Sequence, residues 1–184
     1  MRLVISEFAS LDGVMEDPRW TFEYHKERPW TEDQLKFKGG ELRGSDALLL
    51  GRVTYQGFAA AWPSQQDDPQ GYGKRMNSLP KYVLSKTLGK LEWGNSRLLR
   101  GELADETRRL KAQPGRDLLV FGSLKLSSEL LERGLADELR LMVYPVFLGG
   151  GRRLFANASA LKPRLAEAKG FDSGVVLLRY TFAE

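Results

Sequence analysis

Two short apolar runs that each end on glycine constrain this chain more than any other feature. Asp46-Ala47-Leu48-Leu49-Leu50-Gly51 leads into Arg52–Ala61, where Val53, Phe58 and Trp62 could face a core, and Asp117-Leu118-Leu119-Val120-Phe121-Gly122 leads into Leu126, Leu130 and Leu131 at helical spacing before Gly134. A strand without polar alternation is buried on both faces, so each unit reads as strand, tight turn and helix in a parallel sheet covered on both sides. The remaining segments fit that frame. Arg2–Ala9 reads as a strand entering the Ser10–Gly13 turn, Lys81–Ser85 and Arg97–Leu99 as further strands, and Glu32–Arg43 and Glu102–Ala112 as helices. Glu138–Phe147 reads as a strand, and Arg164–Lys169 with Val175–Phe182 as a terminal antiparallel hairpin. Asp12 to about Thr31, rich in aromatic residues, reads as a long loop acting as a lid, and Ser64–Gly73 as a polar surface loop. No repeat or linker divides the 184 residues, which form one domain, 1–184, of α/β class: a three-layer α/β/α sandwich on a mixed, mostly parallel sheet.

Composition removes whole classes of chemistry. With no cysteine there is no disulfide framework, thiolate nucleophile or Cys-ligated metal, and a single histidine rules out paired imidazole ligands; no metal is expected. No apolar run approaches a membrane span, and Glu7 interrupts any signal-peptide core, so a cytoplasmic protein without membrane partners is expected. The net charge of +4 comes from basic residues interleaved with acids, which speaks against a nucleic-acid partner. His25 lies in the long loop and reads as a solvated histidine.

Ligands of parallel α/β sheets bind beyond the carboxyl ends of the strands, where helix N-termini present free N–H groups. Gly51, Arg52 and Thr54 offer close backbone approach, a guanidinium and a hydroxyl there, and Gly122, Ser123 and Leu124 repeat the geometry; a plain βα connection uses the same residues. Ser85 and Lys86 suit an adenosine 2′-phosphate, or a polar turn. Neither G-x-G-x-x-G after the first strand nor a P-loop is present. Leu148-Gly149-Gly150-Gly151 could let bare backbone lie against a planar ring, or make a chain reversal, and Asp12-Gly13 could set a carboxylate at the sheet mouth.

Taken in order, S-L-D-G at Ser10–Gly13, D-A-L-L-L-G-R-V-T-Y at Asp46–Tyr55, N-S-L-P-K-Y-V-L-S at Asn77–Ser85, L-L-V-F-G-S at Leu118–Ser123 and the run from Gly134 to Phe155 resemble the dihydrofolate reductase-like superfamily. More narrowly, they resemble stand-alone relatives of the reductase domain of bacterial riboflavin biosynthesis. The resemblance implies an NADPH-dependent oxidoreductase that reduces a small planar heterocycle, pterin- or pyrimidine-like, and often works as a homodimer. It assigns Gly51, Arg52 and Thr54 to the pyrophosphate and 2′-phosphate, Ser85 and Lys86 to the 2′-phosphate, and Gly122, Ser123 and Leu124 to the dinucleotide floor. It places Leu11, Asp12, Gly13, Leu148, Gly149 and Gly150 in the substrate pocket, with Asp12 as a polar substrate contact or proton relay. Departures narrow it: no cysteine-bearing deaminase half is present, Gly122-Ser123 stands where dihydrofolate reductases carry Gly-Gly, and only Glu32 or Asp33 could replace their substrate-binding acid. A non-catalytic NADP(H)-binding module on the same fold is the alternative.

Overall fold

The computed structural model describes residues 1–155 and 161–182. In chain order it comprises β1 (Arg2–Ser10), α1 (Trp20–Glu27), α2 (Glu32–Gly44), β2 (Ser45–Gly51), α3 (Arg52–Ala61), a 3-10 turn (Trp62–Ser64), α4 (Tyr72–Ser78), β3 (Lys81–Leu84) and β4 (Ser96–Leu99). It continues with α5 (Leu103–Lys111), β5 (Asp117–Phe121), α6 (Leu124–Glu132), β6 (Glu138–Tyr144), β7 (Arg164–Gly170) and β8 (Val176–Thr181). All eight strands join one sheet in the order β4-β3-β2-β5-β1-β6-β8-β7. The pairs from β4 through β6 are parallel, and β8 and β7 close the far side antiparallel, as the sequence predicts.

The period-2 alternation of strand side chains produces the layers. Leu3, Ile5, Ala47, Leu49, Leu118 and Val120 point to one face, where Leu103 and Leu110 of α5 and Leu126 and Leu130 of α6 meet them. Val4, Leu48, Leu50, Leu119 and Phe121 point to the other, against Leu42 of α2, Tyr55 of α3 and Met76 of α4. Each such leucine, fully buried, contributes about 1.5–3 kcal/mol. A third cluster, Met142, Tyr144, Phe171, Val175 and Leu177, lies by the antiparallel strands and packs with Phe8, Trp20, Tyr24, Trp30 and Phe37. Among the described residues, no helix is long and apolar enough to cross a membrane.

The structure departs from the sequence reading in several places. Val53, expected to face the core, is 70% exposed on the first turn of α3. The segment after Asp12 is not one loop: Trp20 and Tyr24, four residues apart, both set their rings edge-on to Tyr144 at 5.3 Å, and that packing supports α1. The polar segment after Trp62 leads into α4, whose first turn is capped by Asp68 accepting the N–H of Tyr72 at 2.9 Å and Gly73 at 2.6 Å. β6 stops at Tyr144, ahead of Pro145, rather than running to Phe147.

Candidate functional site

β2 and β5 are neighbours, yet α3 leaves β2 for one face of the sheet and α6 leaves β5 for the other. Their departure in opposite directions opens a crevice at the carboxyl ends, the topological switch point of this sheet. The structure brings the two glycine units together there. Gly51 donates its N–H to Ser123 Oγ at 2.9 Å, a Cβ on Gly51 would stand 3.2 Å from that oxygen, and a Cβ on Gly122 would stand 3.4 Å from Thr54 Cγ2. Gly122 (φ +61°) and Ser123 (φ +67°) are both left-handed, a conformation glycine adopts freely and serine only when held. Arg52 and Leu124 open α3 and α6 on either side. The Arg52 guanidinium is exposed and donates to Gln56 Oε1 at 3.0 Å.

Ser85 follows β3, one strand further out. Its Oγ accepts the N–H groups of Thr87 at 3.2 Å and Leu88 at 3.0 Å, which leaves its own hydrogen to donate. Lys86 pairs with Glu102 at 2.6 Å on the surface, both side chains about 70% exposed, a contact worth about 0–1 kcal/mol and readily exchanged for another anion.

On the other side, the end of β1 meets the turn after β6. The Asp12 carboxylate accepts the Ser10 hydroxyl at 2.6 Å and the N–H groups of Leu148 at 3.2 Å and Gly149 at 2.9 Å, while the Arg153 guanidinium donates to the Asp12 carbonyl at 2.9 Å. The Ser10 hydroxyl first, then the Leu148 N–H, hold the Asp12 carboxyl down to about 2. Asp12 is therefore an anion at neutral pH that ties two loops together and carries no proton to give. Beside it, Leu11 and Phe147 expose 53% and 75% of their surface, and a Cβ on Gly149 or Gly150 would meet open space. The two acids that could replace a substrate-binding carboxylate are engaged: Glu32 with Lys36, and Asp33 with Thr31 and Lys169.

Several residues here were invisible as site residues in the sequence. His25 is only partly solvated: it stacks on Trp30 with ring centroids 4.4 Å apart, and its two nitrogens lie 2.9 Å from the Arg28 carbonyl and 3.1 Å from the Tyr144 hydroxyl. A carbonyl only accepts, so Nδ1 carries the hydrogen and Nε2 accepts from Tyr144. Burial lowers the His25 pKa and raises that of Tyr144, so both are neutral near pH 7. Trp20 Nε1 and Gln34 Nε2 are buried with no hydrogen-bond partner among the described residues. Behind the crevice, Glu7 is 3% exposed and its carboxyl lies 2.6 Å from the Ser127 hydroxyl. Only the four-residue spacing of Trp20 and Tyr24, which sets both on one helical face, was a legible signal for any of these.

A mixed α/β/α sheet of this order, with glycine turns meeting at its switch point, is the dihydrofolate reductase-like fold. The model of the RibD C-terminal domain matches residues 2–177, and the chain belongs to that family of riboflavin-biosynthesis reductase-like domains. Among curated proteins it is 29% identical over 142 residues to the uncharacterized protein YyaP of Bacillus subtilis (strain 168), covering 76% of this chain and 75% of that one. A putative riboflavin biosynthesis protein from Shewanella sp. PV-4 superposes with a TM-score of 0.79 at 23% identity, over 100% of both chains. A pyrimidine reductase-like protein from Corynebacterium diphtheriae superposes with a TM-score of 0.64 at 13% identity, over 100% of this chain and 92% of that one.

Proposed function

We propose that the protein is an NADPH-dependent reductase of a small planar heterocycle, pyrimidine- or pterin-like. The observation that carries this reading is the meeting of the Gly51 and Gly122 turns, joined by the Gly51 N–H to Ser123 Oγ bond at the switch point between β2 and β5. In this reading Gly51, Thr54, Gly122, Ser123 and the start of α6 at Leu124 hold the pyrophosphate and ribose by backbone and hydroxyl groups. Arg52, with Ser85 and Lys86, holds the 2′-phosphate. Bound NADPH supplies a hydride for an electrophilic ring carbon. The protein's part is orientation and exclusion of water. Asp12, already ionised, fixes the Leu148–Gly150 turn so that Leu11, Gly13 and the bare backbone of Gly149 and Gly150 face the ring. A proton required by the product comes from water in this scheme, because Asp12 holds none.

Fluorescence titration with NADPH and NADH tests the reading. Selective binding of NADPH is expected, and Arg52→Ala should weaken it about 10- to 100-fold, the value of about 1.5–3 kcal/mol for a charged hydrogen bond, while changing NADH little. Equal losses for both cofactors would remove the 2′-phosphate role. No binding of either would end the reading.

A further inference from the structure

Beneath the crevice lies a hydrogen-bond chain whose arithmetic closes in only one protonation state. Ser127 Oγ is 2.6 Å from Glu7 Oε1 and 3.1 Å from the Gly122 carbonyl oxygen, and both contacts are buried or nearly so. A serine hydroxyl has one hydrogen to give. If Glu7 is a carboxylate, both neighbours are acceptors competing for that hydrogen, and one faces a lone pair. If Glu7 is a carboxylic acid, its O–H fills the Ser127 lone pair and the Ser127 hydrogen goes to the Gly122 carbonyl.

The surroundings favour the acid. Among the described residues no cation pairs with Glu7: the nearby Lys38 ammonium is spent on Glu41 at 2.6 Å and Ser6 at 3.1 Å, and Arg140 pairs with Glu41 and Glu138. An unpaired carboxylate at 3% exposure is costly to bury. Burial drives the Glu7 carboxyl well above its ordinary value and Glu41 adds to this, against the opposing pull of the Ser127 hydroxyl, the Lys38 charge and the Gly122 N–H.

We propose that Glu7 is a positioning residue of the cofactor crevice: as a carboxylic acid it directs the Ser127 hydrogen onto the Gly122 carbonyl and so holds the left-handed Gly122–Ser123 turn that presents Ser123 Oγ to Gly51. The link to cofactor rests on the nucleotide-binding reading above. The link to the turn does not. Ser127 completes the connection from the other side, since its N–H donates to the Ser123 carbonyl at 2.9 Å.

The test separates the two links. Infrared difference spectra of the intact protein at neutral pH should show a carboxylic-acid C=O stretch that is lost in Glu7→Gln; its absence from the wild type overturns the proposal. Amide hydrogen exchange at Gly51, measured without cofactor, should speed up about tenfold in Ser127→Ala and Glu7→Leu. The double variant should be no worse than either, and Glu7→Gln, whose amide still donates to Ser127, should match the wild type. Additive effects, or a Glu7→Gln as impaired as Glu7→Leu, overturn it. The NADPH dissociation constant should follow the same pattern, about tenfold weaker in the two disruptive variants. If the wild type binds no NADPH, the nucleotide reading falls, and the exchange data still decide what Glu7 does.

Discussion

His25 and Asp12 carry opposite lessons about how far a single residue can be read. Asp12 stands in a turn that the letters Asp-Gly announce, but its use is set by two N–H groups 136 and 137 residues away that no local pattern reveals. His25 sits in a stretch that reads as a loop open to water, and its partial burial comes with Trp30, five residues on, stacking its indole on the imidazole. Because burial lowers its pKa from 6.5, the unfolded chain holds the extra proton between the folded value and 6.5. Stability should therefore rise with pH through that window and level off above it. As the only histidine, His25 gives a single set of imidazole signals in an NMR titration. The midpoint is expected below 6.5, with the hydrogen on Nδ1, and a midpoint at or above 6.5 would contradict the packing of α1.

At the scale of elements, the central strands β2 and β5 and the helices α5 and α6 were legible from their apolar patterning, whereas α1 and α4 were not, because each draws its support from outside its own span. α4 owes its first turn to Asp68, and its buried Met76 packs beneath α2 and α3. β6 shows the same dependence in its charges. Arg140, 7% exposed, reaches Glu41 of α2 at 3.2 Å, Glu138 at 2.6 Å and Asp117 of β5 at 3.5 Å, so a helix and two strands share one guanidinium. Removing it strands buried carboxylates. Arg140→Ala should cost about 3–5 kcal/mol in urea denaturation, and a loss under about 1 kcal/mol would mean the carboxylates find other partners. Burial pushes the Glu138 pKa up, but Arg140 and Arg179 outweigh it and hold it below 4.5, so its stabilisation is present above pH 4.5 and lost as pH falls through the folded value. Acid unfolding of Arg140→Ala should accordingly begin at higher pH than that of the wild type.

For the whole molecule, both halves of the crevice were visible as strand–glycine–helix units, but their contact was not. Gly51 and Ser123 are 72 residues apart, and only the sheet order sets β2 beside β5. Glu7 was legible merely as an acid breaking an apolar run, since its partner Ser127 lies 120 residues away. Gly51→Ala probes the juncture directly. Gly51 has an ordinary φ of −79°, so alanine brings no backbone strain, and its added carbon would stand 3.2 Å from Ser123 Oγ, wedging the two turns apart. Thermal stability should change by less than about 1 kcal/mol while NADPH affinity falls at least about tenfold. Unchanged affinity would show that the turns need not touch to bind. The sheet order has one more consequence, for the chain as it is made. β5 fills the slot between β2 and β1, so a nascent polypeptide that has not yet released Phe121 from the ribosome holds two apolar strands with an unfilled gap between them. All of β5 must be synthesised before the centre of the sheet can close, and until then those strand edges are the surfaces a chaperone would shield.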